Sequence, residues 1–590
     1  MSLSPSQQAA VDAPGHCLIV ACPGSGKTHT LIARAERLLA ASPTDRLAIV
    51  TFTRAAADEL RDRLVARLGR AILPRVDAGT FHSLCLQQLE VVHGRGKRPF
   101  GIASEGVSHT LAMKAWEMAA NARKGRPPVS REDTKRAIEF MQVNDDLQPP
   151  TGDPEFFRAA LDHYRSLLKA QKLFDFTDIM RGTVGGMAAS SVPRLRVRDL
   201  LVDEFQDADA LQVGWVLHHA SASIRTTCVG DDDQSIYGFR HARGYNGMME
   251  FARRTNAQVI TLDTTYRCAA AIVAHTSRLI SRNAERVPKT IRTASRVTGI
   301  VERVDYVNAA TELEAACFTL SEQVPHESAA ILTRTNRVLR EIQVKCEAAK
   351  IPHYGGVPGG IWSGGAPSVV FGLIGAALGK ANSTGATVGL AARGFSIVCV
   401  RAARAQLIAV NGQLDTLVKS RAWLREAPDQ QVQLWDECQS DYEAMLKAIP
   451  GPPLEFTSAC IRFIEPGMED FTSSKTLKSI QTIIGRMRGN LPDIYQRIER
   501  STRDTGKDDE EGRVGIALMT LHASKGLEFD NVWMPAMRQG VLPHGNTDLA
   551  EERRLCYVGM TRARRTLTLS YSRSGDAPES IFLQEAGLLA

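Results

Sequence analysis

The sequence predicts an α/β protein with two parallel sheets, each flanked by helices and each interrupted by a largely helical insertion. Short apolar runs alternate with helical periods over two separate stretches, a glycine-rich turn joins a strand to a helix at Gly24 to Thr28, and strand alternation lapses twice. The lapses set the boundaries. Residues 1–85 with 194–270 form the first sheet domain, 86–193 its insertion, 271–356 with 514–590 the second sheet domain, and 357–513 a second, divergent insertion. At 590 residues and 44% hydrophobic, the chain is too long for one core and long enough to fold without disulfide staples.

Taken in order, LSPSQQAAVDAPG leads into CLIVA, Cys17 to Ala21, whose unbroken apolar run reads as a strand covered on both faces. CPGSGKT and a helix over Thr28 to Leu39 follow. LAIVTFT, Leu47 to Thr53, reads as the next strand, and AAADELRDRLVARL repeats Leu60, Leu64, Val65 and Leu68 at helical spacing. DAGTFHSLC, Asp77 to Cys85, reads as a strand-end loop with Phe81 and His82 exposed. The first insertion is broken at Arg126-Pro127-Pro128 and Gln148-Pro149-Pro150, after which strands resume at Asp199 to Glu204, Thr226 to Asp231 and Gln258 to Asp263. The second sheet is signalled by Gly299 to Tyr306, Ala329 to Thr333, a helix over Asn336 to Ala349, Gly515 to His522, NVWMPAM and LTLSYS, with EERRLCYVGMTRARR as a helix before the last strand. Its insertion opens on GGVPGGIWSGGAPS and closes on the polar run STRDTGKDDEEGR, which has the composition of a mobile connection. No fixed-period repeat is present, which excludes solenoids.

Composition narrows the class. Eleven cysteines are scattered with no CxxC, which excludes the usual zinc and iron–sulfur spacings and fits buried, reduced thiols. A net charge of +7 permits a polyanionic partner. The most apolar stretches, Ala366 to Gly379 and Gly389 to Val410, are too short or are interrupted by Arg393, Arg401 and Arg404, so the expectation is a cytoplasmic protein with no membrane partner.

The chemistry sits at strand ends. Gly24, Ser25, Gly26, Lys27 and Thr28 form a turn whose backbone N–H groups can wrap phosphates, with Lys27 reaching the β/γ oxygens and Thr28 offering a hydroxyl to Mg²⁺. The strict P-loop pattern has Ala21 where its first glycine would stand. LLVDEFQDAD, Leu200 to Asp209, delivers Asp203 and Glu204 to a strand tip, where one carboxylate can hold a metal and the other can orient or deprotonate water. That combination is nucleotide-hydrolysis chemistry.

These residues, assembled, resemble the UvrD/Rep/PcrA group of superfamily 1 DNA helicases. The resemblance spans nearly the whole chain through QQAAV, GSGKT, VTFTRAAADEL, GTFHS, DFTD, VDEFQD, VGDDDQSIYGFR, TTYRC, LMTLHASKGLEFD and EERRLCYVGMTRA. It implies two RecA-like P-loop NTPase domains and use of ATP with Mg²⁺. By that resemblance Gln7 reads the adenine edge, Lys27 and Thr28 take the phosphates and Mg²⁺, Asp203 the metal and Glu204 the attacking water. Gln234 senses the γ-phosphate, Arg267 and Arg562 act as arginine fingers, Tyr266 stacks on the base, and Glu528 lies near the ribose. Phe52, Thr80, His82, Tyr237, Phe239 and His522 line the single-strand channel. The implied partner is single-stranded DNA and its junctions with duplex, traversed 3′ to 5′ with unwinding.

The sequence also departs from that group. His29 stands where an arginine commonly follows GSGKT, and Phe239 where a tryptophan is common, so both stacking contacts are expected to be weaker. The second insertion has little readable similarity and is the expected seat of a protein partner. The chain ends soon after LTLSYS, so a nuclease, if one acts with it, is expected on another polypeptide. The sequence leaves open repair, replication restart, plasmid maintenance and defence as settings. It also leaves open a motor subunit of a nuclease-containing complex, a translocase that displaces protein without unwinding, and an RNA substrate.

Overall fold

The computed structural model describes residues 3–94, 100–123, 130–144, 153–380, 382–467, 471–503, 514–545, 547–573 and 577–589. The proline breaks at 126–128 and 148–150 and most of the polar run 501–513 lie outside the described residues. The chain divides into two compact units, Met1–Cys268 with Ile280–Arg296, and Ala269–Leu279 with Val297–Ala590.

The first unit holds six parallel strands: β1 Cys17–Ala21, β2 Leu47–Thr51, β3 Val76–Thr80, β4 Asp199–Val202, β5 Arg225–Gly230 and β6 Gln258–Leu262. They lie in the order β3-β2-β4-β5-β1-β6. Because side chains alternate across a strand, the apolar runs split between two cores. Leu18, Val20, Ala48, Val50, Leu200, Val202 and Cys228 enter one. Cys17, Ile19, Ala21, Leu47, Ile49, Leu201, Val229 and Ile260 enter the other. Burial on both faces is why these strands read as continuous rather than alternating apolar runs.

The second unit has its own six-stranded parallel sheet: β7 Ile300–Tyr306, β8 Ala329–Thr333, β9 His353–Gly355, β10 Ile516–Thr520, β11 Phe529–Met534 and β12 Ala563–Ser572. Their order is β7-β12-β11-β8-β10-β9. The three-residue β9 carries no apolar run and was invisible in the sequence. The glycine-rich stretch 355–368 is packed rather than open: Ile361 and Trp362 are buried in a short turn, and a helix begins at Gly365. Among the described residues, the stretch between β3 and β4 is helical around Leu111, Phe156, Phe157 and Tyr164, and that between β9 and β10 around Trp423, Trp435 and Tyr442. No described helix is long and apolar enough to cross a membrane.

Two local readings are corrected. Asp77 to Cys85 is not a loop: β3 runs to Thr80, whose side chain accepts from Ser83 N and caps a helix over Phe81–His93, and Phe81 is buried beneath it. The capping threonine ahead of an apolar helical repeat carried that signal. The helix containing EERRLCYVGM ends at Met560, and Ala563 already belongs to β12, so Arg562 follows the helix rather than lying on it.

The N-terminal helix α1, Pro5–Asp12, is set by a reciprocal capping box between Ser4 and Gln7. It is held down by Arg34 of α2, Lys27–Ala41. The fully buried Arg34 guanidinium donates to the carbonyls of Ala10 (2.8 Å) and Val11 (3.1 Å) and to Thr227 Oγ1 (2.8 Å). An arginine inside an apolar core is tolerated only where its donors are met. Replacing Arg34 with Met is expected to lower unfolding free energy by roughly 1–3 kcal/mol, because buried carbonyls lose their donors. Denaturant titration of the full chain checks this.

Candidate nucleotide site and nucleic-acid surface

The phosphate loop is shaped by two glycines at positive φ. Gly24 (φ +70°) has no room for a side chain, since a Cβ there would lie 2.5 Å from Arg267 Cβ and 2.8 Å from Thr265 Oγ1. Gly26 (φ +76°) is the left-handed cap that turns the chain into α2. The loop is held from two sides. Tyr266 N donates to Gly24 O at 2.9 Å, and Gln7 Nε2 donates to Ser25 O at 2.9 Å. Gln7 Oε1 meanwhile accepts from Ser4 N, so both ends of its amide serve the loop's scaffold in this structure.

Opposite the loop, β4 ends at Val202 and the chain presents Asp203 and Glu204. Glu204 adopts a left-handed conformation (φ +50°, ψ +37°), which costs a non-glycine residue about 1–2 kcal/mol. Its carboxylate accepts from Lys27 Nζ at 2.9 and 2.8 Å. Burial opposes the charge on Lys27, but Glu204 and then Asp203 and Asp231 outweigh it and raise the lysine's pKa. Asp203 is buried and accepts from Glu204 N at 2.9 Å. Burial first, and repulsion by Glu204 second, lift its pKa to about 6 against the pull of Lys27. A carboxylate held at such a cost is relieved by a cation, and the Thr28 hydroxyl with the Asp203 carboxylate is the hard oxygen donor set that suits Mg²⁺.

Gln206 extends this pair. Its Nε2 donates to Glu204 Oε2 at 2.6 Å and its Oε1 accepts from Asp231 N at 2.9 Å, so it bridges the ends of β4 and β5. Asp231 in turn accepts from Gln234 Nε2. Lys27, Glu204, Gln206, Asp231 and Gln234 therefore form one connected network. Gln206 stood inside VDEFQD without an assigned role, since sequence alone shows its spacing and not its bridge.

At the periphery, Tyr266 is half exposed, while His29 lies 3.4 Å (Nδ1) from Arg67 NH2. Burial and then Arg67 lower the His29 pKa and favour a neutral ring. Arg267 continues from the Thr264–Thr265 strand that passes Gly24.

The residues read as nucleic-acid contacts separate by environment. Phe239 is 61% exposed and meets Tyr237 edge to face at 5.9 Å, with the Arg240 guanidinium 5.4 and 5.5 Å from the two ring centroids. His82 meets the exposed ring of Phe176 at 5.1 Å. Phe52 is half buried against Phe81 at 5.5 Å, and Thr80 spends its hydroxyl oxygen on its helix cap. Phe176 and Arg240 went unassigned in the sequence because nothing in DFTD or GFR states exposure.

The remaining three residues belong to the second unit. His522 lines a cavity of about 590 Å³ with Arg334, Asn336, His544 and Thr547. Arg334 is held there by the buried Glu552, at 2.7 to 3.1 Å. Glu528 pairs with Arg564. Arg562 is 1% exposed, with Nε donating to Val558 O (2.9 Å) and NH1 to Leu527 O (3.1 Å).

A strand, a left-handed glycine turn, a helix starting at Lys27 and an acidic pair on a neighbouring strand end define a P-loop nucleotide-hydrolysing protein. Comparison with known families narrows this. Residues 3–255 match the UvrD/REP helicase N-terminal domain, and residues 471–574 match the UvrD-like helicase C-terminal domain. The chain belongs to the UvrD-like family of ATP-dependent DNA helicases. It is similar to the ATP-dependent DNA helicase UvrD1 of Mycobacterium tuberculosis, with 28% identity covering 99% of this chain and 85% of the relative. DNA helicase II of Haemophilus influenzae is 27% identical over 97% of this chain and 84% of its own length. ATP-dependent DNA helicase PcrA of Leuconostoc citreum is 27% identical over 94% and 80%.

The glycine geometry yields a direct test. Gly24→Ala is expected to weaken ATP binding at least about tenfold, since the new Cβ cannot coexist with Arg267 and the loop must move from its phosphate-binding shape. Equilibrium titration with a fluorescent ATP analogue measures it.

Proposed function

We propose that this chain is an ATP-driven translocase on single-stranded DNA that moves 3′ to 5′ and separates duplex at junctions. The observation that carries the reading is the continuity of one segment. Gln234, bonded into the Lys27–Glu204–Gln206–Asp231 network, lies three residues from Tyr237 and five from the exposed Phe239. A change at the γ-phosphate is thereby passed along the backbone to an aromatic surface. Stacking on aromatics tolerates any base and contributes about 1–3 kcal/mol per base, which suits movement over every sequence.

In this reading Lys27 leaves Glu204 for the phosphates of ATP, freeing that carboxylate to orient the attacking water. Thr28 and Asp203 would hold Mg²⁺, which would supply charge neutralisation to the transferring phosphoryl group. Arg267 and Arg562 supply guanidinium groups to the developing charge, worth roughly 10³ to 10⁵ in rate for a well-placed finger. Gln7 and Tyr266 take the base, with His29 in the supporting place and Glu528 at the ribose. Phe52, Thr80, His82, Tyr237, Phe239 and His522 contact the strand, His522 from a cavity it shares with Asn336, His544 and Thr547, whose polar groups suit a sugar–phosphate backbone. The four-segment division, with 86–193 and 357–513 as insertions and the latter as a protein-docking element, belongs to the same proposal.

Steady-state ATP hydrolysis with no polymer, with single-stranded DNA and with RNA of equal length, at one salt concentration, tests the substrate class. DNA alone is expected to stimulate. A duplex with a 3′ tail is expected to be unwound and one with a 5′ tail spared; DNA-stimulated hydrolysis without unwinding of either would favour a displacing translocase or a motor that needs a partner. Lys27→Ala is expected to abolish hydrolysis, whereas Glu204→Gln retains ATP binding and loses turnover. Arg562→Ala lowers kcat by roughly 10³-fold or more while changing ATP affinity far less. For Phe239→Ala, the expected result is continued hydrolysis with translocation reduced, measured by displacement of a bound protein roadblock.

A further inference from the structure

Lys289 lies in Ile280–Arg296, the stretch by which the chain returns to the first unit after the helix Ala270–Ile280. The hydrolytic chemistry above makes no use of it. Its side chain is 0% exposed, and its ammonium reaches Asp231 Oδ1 at 3.0 Å, Asp232 Oδ1 at 2.6 Å and Asp233 Oδ2 at 3.0 Å. It also lies 3.3 Å from the carbonyl of Ala21, the last residue of β1 before the phosphate loop. Three buried carboxylates, each offering one oxygen within 4.8 Å of the other two, could by themselves hold a metal ion; here the lysine ammonium sits among them.

The three aspartates are not equivalent. Asp233 also takes both forks of Arg286, at 2.9 and 2.8 Å, and Asp232 accepts from Val287 N. Asp231 accepts from Gln234 and is reached through its backbone N–H by the Gln206 bridge to Glu204. The contacts close a ring that leaves the phosphate loop at Lys27, passes through Glu204, Gln206, Asp231 and Lys289, and returns to the strand end at Ala21.

We infer that Lys289 is a positioning residue for nucleotide hydrolysis: by binding Asp231 and the Ala21 carbonyl with one ammonium, it fixes Gln234 relative to the phosphate loop. This rests on the hydrolase reading and adds to it a residue remote in sequence that sets the register of the phosphate loop and the γ-phosphate sensor. A lysine suits the task because its three N–H donors diverge from one point, whereas a planar guanidinium presents a fork. A lysine that served only to neutralise buried charge would affect stability and leave the chemical step unchanged.

The experiment uses the full chain and measures thermal unfolding together with kcat and KM for ATP, with saturating single-stranded DNA. Lys289→Met is expected to lower kcat on the order of 10- to 100-fold, the scale of a misplaced reacting group, with KM within about threefold of the parent. In a Gln234→Ala background the same substitution is expected to lower kcat no further, because both changes act through one residue. Arg286→Ala, which releases Asp233 and not Asp231, is expected to lower the unfolding temperature and leave kcat unchanged. The inference is overturned if Lys289→Met keeps the parent kcat, if its effect adds to that of Gln234→Ala, or if Arg286→Ala loses as much kcat. Should Lys289→Met not fold, Asp231→Asn leaves the lysine two carboxylates and carries the same test, with unchanged kcat again overturning the inference. A parent protein without hydrolysis on any polymer would instead refute the functional reading on which this one stands.

Discussion

The ion pair between Lys27 and Glu204 is the constraint on which the first unit's site depends. Lys27 is mostly buried and costly to keep charged alone, and the part-exposed Glu204 carboxylate stabilises it, so the phosphate loop and the end of β4 are held at one distance. Glu204 accepts a left-handed backbone to make the contact, which places local strain where charge is organised. Gln206 then carries the same geometry to β5, so the ends of the neighbouring strands β4 and β5 share one network with the phosphate loop that follows β1. Ligand sites form at such strand ends because the parallel sheet brings them together on one edge.

That network explains why residues with little apparent chemistry matter to the site. Arg34 buries its guanidinium to hold the end of α1, and α1 carries Gln7 to the phosphate loop. The loop has no side chain at Gly24 because Arg267 and Thr265 occupy that space, so the segment bearing Tyr266 and Arg267 is shaped against the phosphate loop itself. Binding energy from a nucleotide would therefore act on several elements at once rather than on one loop, as a motor requires.

The pair of half-buried Tyr237 and exposed Phe239 shows a different balance. Tyr237 and Phe239 leave apolar area in water, stabilised in part by Arg240 across both rings, while the residues just before them are fully buried. Phe52 is the counterexample among the same group of candidates: its ring is engaged with Phe81, which packs on Trp215, and so belongs partly to the core. The aromatic residues of these motifs thus divide between packing against the sheet and standing in solvent.

The sequence by itself determined the two parallel sheets, because a strand covered on both faces must be apolar throughout, and it determined the P-loop and the acidic strand tip, because those chemistries lie within a few consecutive residues. It did not show β9, whose three residues carry no apolar run, and it marked the helix start at Phe81 only through the capping Thr80, a residue type that loops share. Only the tertiary structure decided the partners of Glu204, the bridge made by Gln206 and the place of Lys289, which is separated from Ala21 by 268 positions and touches its carbonyl. Local patterns record propensity and burial. Which buried charges meet is decided by how the strands are ordered and by where the chain returns, and neither is written in any short window of residues.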